Sequence, residues 1–211
     1  MLRSASRGRP MKEMWDERYG QEGYAYGEEP NVFFQVTLDS LPKSGRILLP
    51  AEGEGRNAVY AARRGWVVDA FDISAVGRDK ALRLAQRHGV HIDYQIADYQ
   101  TAHIEPASYD AVAMIFAHLH ERERRSVHRR LATALAPGGA MIVEAYSKEQ
   151  LRYGTGGPPT EALLYAIDEL AEDFAGLRAL RLQQIETEIR EGKYHDGLAS
   201  VIRFIGVRES I

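Results

Sequence analysis

The chain has 211 residues, 45% hydrophobic and 27% charged, which suits one folded domain with a full apolar core and excludes global disorder. Its 27 Lys and Arg against 30 Asp and Glu leave a net charge of −3, so no net field draws it to nucleic acid. The absence of cysteine excludes a disulfide scaffold, a thiolate metal site and a cysteine nucleophile together.

Met1 to Pro10 is basic and rich in small residues, and no hydrophobic segment follows it. Residues 1–10 are therefore expected to be a disordered tail, residues 11–211 one domain, and the protein cytoplasmic. No apolar run approaches the ~20 residues that span a bilayer. Met11 to Tyr19 predicts a short helix, and Pro30 suits the first turn of a second helix through Leu38. Ile47 to Leu49 is a buried strand, followed by a helix from Asn57 to Arg64 that Gly65 ends. Trp66 to Asp72 is the next strand, Ala75 to His88 the next helix, and His91 to Ala97 the third strand. Tyr109 to Phe116 is a fourth strand and Glu121 to Leu135 a helix; Pro137-Gly138-Gly139 then turns the chain into a fifth strand, Ala140 to Tyr146. This alternation implies a parallel sheet covered by helices on both faces. After a Gly/Pro loop and a helix through Phe174, two strand-like runs bracket residues 192–197 as an antiparallel hairpin. The expected fold is α/β and Rossmann-like, with seven strands, mostly parallel, and a C-terminal antiparallel hairpin.

Ala51-Glu52-Gly53-Glu54-Gly55-Arg56-Asn57-Ala58 joins the first strand to its helix, where glycines allow a sharp turn and close approach of a ligand. Asp72 ends the second strand, where a carboxylate accepts ribose hydroxyls, and Asp98 ends the third, within reach of an adenine amino group; either also suits a capping role. Residues 53–58 satisfy G-x-G-x-x-A, so a nicotinamide dinucleotide is one reading. A pyrophosphate would meet Glu52 and Glu54 in the turn, and like charges ~4 Å apart cost about 1 kcal/mol even in water. S-adenosylmethionine carries a sulfonium and an ammonium instead, and electrostatics favour it.

Trp15-Asp16-Glu17-Arg18-Tyr19, the glycine turn, Phe71-Asp72-Ile73-Ser74 and Ala136-Pro137-Gly138-Gly139 together resemble class I S-adenosylmethionine-dependent methyltransferases. Within that group the chain is most similar to the tellurite-resistance and thiopurine methyltransferase branch. The resemblance implies that Glu52, Gly53 and Gly55 line the methionine end of the cofactor, with Asn57 beside them, that Asp72 and Ile73 hold its ribose, and that Asp98 and Tyr99 frame its adenine. It also implies that Trp15, Arg18 and Tyr26, within an N-terminal lid segment of residues 11–45, close over the site. Phe116 joins this set from the end of the fourth strand. Two positions depart from the family pattern: Leu49 stands for an acidic residue and Ala51 for the first glycine.

The loop Phe116-Ala117-His118-Leu119-His120-Glu121 lies where the acceptor should enter, and His118 is the candidate for acceptor orientation or proton removal. A histidine packing or capping at the helix start is the competing reading. His195, in the hairpin loop, is expected in solvent, with reach over the same mouth as the competing reading. Tyr146, Gln150, Arg152 and the Gly154–Gly157 segment are further candidates for the pocket wall. Arg122, Arg125 and Arg129 share one helical face, expected to be solvated and paired with Glu121 and Glu123. No metal-ligand spacing stands out among seven histidines. The function expected is methyl transfer to a small molecule, releasing S-adenosylhomocysteine, with a soft acceptor: a thiol, or a selenium or tellurium species. A nicotinamide-linked oxidoreductase and an idle S-adenosylmethionine binder are the alternatives; no nucleic-acid or membrane partner is expected.

Overall fold

The computed structural model describes residues 11–42 and 44–210; the expected tail, 1–10, lies outside them. Its elements run α1 (Met11–Tyr19), α2 (Val32–Ser40), β1 (Arg46–Pro50), α3 (Arg56–Arg63), β2 (Val67–Asp72), α4 (Ala75–Arg87), β3 (Asp93–Ile96), β4 (Tyr109–Ile115), α5 (Glu121–Ala134), β5 (Leu135–Tyr146), α6 (Ile167–Asp173), β6 (Arg178–Arg190) and β7 (Asp196–Val207). Two short 3-10 turns, Lys148–Arg152 and Glu161–Leu163, lie between β5 and α6.

The seven strands form one sheet in the order β3-β2-β1-β4-β5-β7-β6. β1 to β5 run parallel, and β7 runs antiparallel to both β5 and β6, as the sequence predicts. Chain direction along the sheet reverses between β1 and β4, so the loops that follow those strands face one crevice at their carboxyl ends. Period-2 alternation assigns the core: Leu48 packs with Phe71, Met114 and Met141 on one face, while Ile47 and Leu49 pack with Phe34, Val68 and Leu84 on the other. Leu49, one of the two positions that depart from the resemblance, is thus a fully buried core side chain.

Caps fix several boundaries. Asn31 Oδ1 accepts from the Phe34 amide and Ser74 Oγ from the Gly77 amide, opening α2 and α4. Pro30 therefore lies just outside α2, because the polar side chain of Asn31 takes the capping position. β5 begins at Leu135, five residues before the expected start; Pro137-Gly138-Gly139 is absorbed as an irregular opening, with a register shift against β4 between Tyr109 and Ala111. Among the described residues no helix is long and apolar enough to cross a membrane.

Candidate active site

The turn after β1 is built from three left-handed residues, Ala51 (φ 50°), Gly53 (φ 63°) and Gly55 (φ 86°). Alanine tolerates that conformation poorly, so Ala51 holds strain that glycine would not. Gly53 lies against α1: a Cβ there would come within 2.6 Å of the Tyr19 hydroxyl oxygen. Its amide donates to Asp72 Oδ2 (3.1 Å) and its carbonyl accepts from Tyr94 Oη (2.7 Å). Tyr19 closes the Trp15–Tyr19 stretch already singled out in the sequence, whereas Tyr94 is a part of the turn that no motif flags.

Glu52 Oε1 accepts from the Ala58 amide (2.7 Å), in the first turn of α3. Burial pushes its carboxyl up to about 7, against the pull of the Ala58 amide. No ion pair reaches it among the described residues. Glu54, its expected companion, turns away: its carboxylate accepts from the Ala25 amide (2.7 Å) and pairs with Lys80 (2.9 Å). The two acids therefore do not act together. Glu54 anchors the N-terminal segment, and Glu52 alone lends the turn its negative character.

Asp72 is buried, with one oxygen on the Gly53 amide and the other on the Ser74 amide (2.8 Å). Burial is the largest influence and raises its carboxyl to about 6, against those two amides. Each oxygen keeps a second lone pair for a ligand. Ile73 follows, half-buried, at the start of the turn into α4. Asp98 is exposed, and its Oδ1 organises its own turn through the Gln100 amide (2.9 Å), the Thr101 amide (2.8 Å) and Thr101 Oγ1 (2.7 Å). The Tyr99 ring packs edge-on against Phe71, and its hydroxyl oxygen is buried with no hydrogen-bond partner among the described residues.

The N-terminal segment converges as a unit. Arg18 Nη1 donates to Tyr26 Oη (2.7 Å), and the guanidinium lies over both the Trp15 ring (4.9 Å) and the Tyr194 ring of the hairpin (4.5 Å). Asn57 is buried and accepts from the Asn31 amide (3.0 Å), so it ties α3 to the start of α2. Arg56 bridges to the hairpin through Glu191 (2.6 Å), and Asn31 Nδ2 donates to both Glu191 (2.9 Å) and Glu144 (2.5 Å). Arg203 closes this buried network on Glu144 (2.6 Å).

At the end of β4, Phe116 adopts φ 52°, a strained position for a bulky side chain. That geometry stacks its ring on Tyr146 (4.6 Å) and sets it edge-on to His195 (4.6 Å). His118 donates Nδ1–H to the Leu163 carbonyl (2.7 Å) and accepts the Tyr146 amide at Nε2 (3.2 Å). Burial lowers its pKa to about 4. Both ring nitrogens are spent on main chain, which leaves His118 no lone pair for an acceptor proton. The expectation for His195 is corrected outright: it is 6% exposed rather than solvated, because Tyr26 and Phe116 pack on it. Gln150 is also buried, holding Thr155, Gly156 and the Ser200 amide, whereas Arg152 is exposed.

The Arg122, Arg125 and Arg129 face of α5 is exposed, as expected, and Arg124 lies off that face. Arg124 is buried, bonded to the Leu164 carbonyl (3.0 Å) and Glu169 (2.7 Å), and Arg125 pairs with Glu172 and Asp173 of α6. The partners come from α6 instead of Glu121 and Glu123, a packing that helix periodicity cannot anticipate. Among the described residues no cluster of three or more potential metal ligands occurs.

Residues 47–139 match the family model described as a methyltransferase domain. An uncharacterized methyltransferase of Mycobacterium tuberculosis and one of Mycobacterium bovis are each 32% identical over 128 residues, covering 59% of this chain and 63% of theirs. The chain thus spans less than two thirds of the curated relatives it matches. Among solved structures, TehB from Haemophilus influenzae superposes with a TM-score of 0.70 at 15% identity, over 94% of this chain and 67% of its own. The structure reported for conversion of a disulfide bond into a thioacetal group during echinomycin biosynthesis gives 0.72 at 18%, over 94% and 92%. The [4+2]-cyclase SpnF gives 0.67 at 16%, over 94% and 92%. At these identities the likeness is one of fold, and a fold that also serves a cyclase does not name an acceptor.

Proposed function

We propose that this chain, which carries the methyltransferase domain over residues 47–139, transfers the methyl group of S-adenosylmethionine to a small-molecule acceptor and releases S-adenosylhomocysteine. The observation that carries the reading is Glu52: a half-buried carboxyl raised to about 7, in a glycine turn, with no ion pair among the described residues. A cationic ligand stabilises such a group, whereas a pyrophosphate opposes it. The same argument disfavours the nicotinamide alternative, although Glu54 no longer contributes to it.

On this reading Glu52, with Gly53, Gly55 and Asn57 shaping the turn, serves the methionine end. Asp72 and Ile73 serve the ribose, and Asp98 and Tyr99 the adenine. The Tyr99 hydroxyl, without a partner among the described residues, fits a ligand with polar edges, since a buried unsatisfied hydroxyl costs about 1–3 kcal/mol. Trp15, Arg18 and Tyr26 close the entrance, and Phe116 separates the cofactor from the acceptor. When bound, the sulfonium supplies an electrophilic methyl group; the protein's part is alignment and exclusion of water. The acceptors proposed are soft nucleophiles: thiols, or selenium or tellurium species.

Calorimetric titration with S-adenosylhomocysteine and with NAD separates the two cofactor readings. Binding of the first alone supports methyl transfer, and binding of NAD alone overturns it. Labelled S-adenosylmethionine with thiols, selenite, tellurite and phenols then identifies the acceptor class.

A further inference from the structure

We propose that His195, oriented by Glu191, takes the proton from an acceptor that arrives as a hydroxyl or thiol; this rests on the methyl-transfer reading above. The ring of His195 is enclosed by Tyr26 (4.4 Å), Phe116 (4.6 Å) and Tyr146 (5.3 Å). Its Nδ1 is buried with no hydrogen-bond partner among the described residues, and so is the Tyr146 hydroxyl. Both rings border one glycine: a Cβ on Gly156 would lie 2.9 Å from Tyr146 Oη and 3.2 Å from His195 Cδ2. Tyr146 Oη, without a partner among the described residues, and the Cδ2–Nε2 edge of the His195 ring meet beneath Gly156, where a side chain has no room, and mark a place for a small polar molecule.

Glu191 Oε2 lies 3.8 Å from His195 Nδ1, too far for a hydrogen bond but close enough to select the charged partner. Arg56 and Asn31 hold Glu191 in place. Although burial raises it, the His195 and Arg56 contacts carry its carboxyl down to about 2, so it is ionised at neutral pH. Burial lowers the pKa of His195, which leaves its ring neutral and able to accept. Shortening the Glu191 contact fixes the proton on Nδ1 and leaves the lone pair on Nε2. The acceptor X–H bond then breaks toward Nε2. The electron pair left on X forms the X–CH3 bond as the carbon–sulfonium bond breaks onto sulfur, and the imidazolium rests against Glu191. Glu191 from the hairpin favours that cation, while Arg56 from α3 and Arg18 from α1 oppose it. Tyr26, Tyr146 and His118 also lie around the ring, and Tyr194 and Asp196 flank it in sequence.

His118, in contrast, is a positioning residue for Tyr146, since both its nitrogens hold main chain.

The test uses 4-nitrophenol, and thiophenol for the thiol case, with the full chain and labelled S-adenosylmethionine, at about one pH unit below and about two units above each probe's own pKa. Below it, methyl transfer should fall on the order of 100-fold in His195→Phe, which keeps the enclosed ring; above it, where the probe arrives ionised, the variant should stay within about threefold of wild type. An equal loss at both pH values, no loss at either, or failure of the wild-type protein to methylate either probe overturns the proposal. Failure of S-adenosylhomocysteine itself to bind, read by calorimetry, overturns the methyl-transfer reading and this inference with it.

Discussion

The main-chain amide of Tyr146 donates to Nε2 of His118 at 3.2 Å, so the imidazole is a fastener between the end of β5 and the Leu163 carbonyl. His118→Ala leaves two partly buried main-chain groups unpaired, at about 1 kcal/mol each. The expected outcome is a clear drop in the chemical-denaturation midpoint together with any loss of turnover, and S-adenosylhomocysteine affinity within about threefold of wild type. Unchanged stability with lost turnover would return His118 to a direct catalytic role.

Glu52 gives cofactor binding a pH dependence of definite sign. Its carboxyl titrates at about 7 in the free protein, and a cationic ligand binds its ionised form better. Affinity for S-adenosylhomocysteine, whose ammonium is retained, should therefore rise as pH increases through 7 and level off above it. From pH 8 to pH 6 the expected loss is about tenfold, one unit of proton competition. Glu52→Gln should bind more weakly at pH 8 and show a flattened profile by calorimetry.

Asp72 is asked to serve the ribose while already holding the Gly53 and Ser74 amides. Asp72→Ala should weaken S-adenosylhomocysteine binding by more than about tenfold, from the lost acceptor and the loosened turn together. Asp72→Asn, which keeps one acceptor oxygen, should fall between that variant and wild type. Equal affinity in all three would remove Asp72 from the cofactor site.

Ala51 occupies the left-handed region at φ 50°. Replacement by glycine relieves about 1 kcal/mol of backbone strain, less what glycine's freer unfolded chain takes back. Ala51→Gly should thus leave stability unchanged or slightly raised in urea denaturation, with cofactor affinity retained. A loss of more than about 1 kcal/mol would mean that the methyl group packs usefully.

Apo-protein stability should also respond to the two raised carboxyls. Glu52 and Asp72 have higher pKa values folded than their ordinary 4.5 and 3.8, so their contribution is complete below those ordinary values. It is lost as pH rises through about 6 and 7. Saturating S-adenosylhomocysteine should offset that loss, which thermal melts at pH 5 and 8 with and without ligand would reveal.

The sequence by itself determined the sheet, because its signals are local. Alternation along Ile47-Leu48-Leu49 sends neighbours to opposite core faces, Gly65 and Gly89 stop helices, and the glycine turn marks the crevice. Charge partners were not legible in that way. Nothing local tells that Glu54 turns to Lys80, that Arg124 is buried against the α6 region, or that His118 spends both nitrogens on main chain. Hydrogen bonds and ion pairs are satisfied by whichever groups the fold brings near, often more than a hundred residues away, as with Asn31 and Glu144. His195 shows the consequence most plainly. In sequence it is a loop histidine among Gly, Lys and Asp, and only packing of the N-terminal segment and β4 against the hairpin encloses it. Local periodicity set the scaffold, and long-range burial decided which polar groups on it are left free to act.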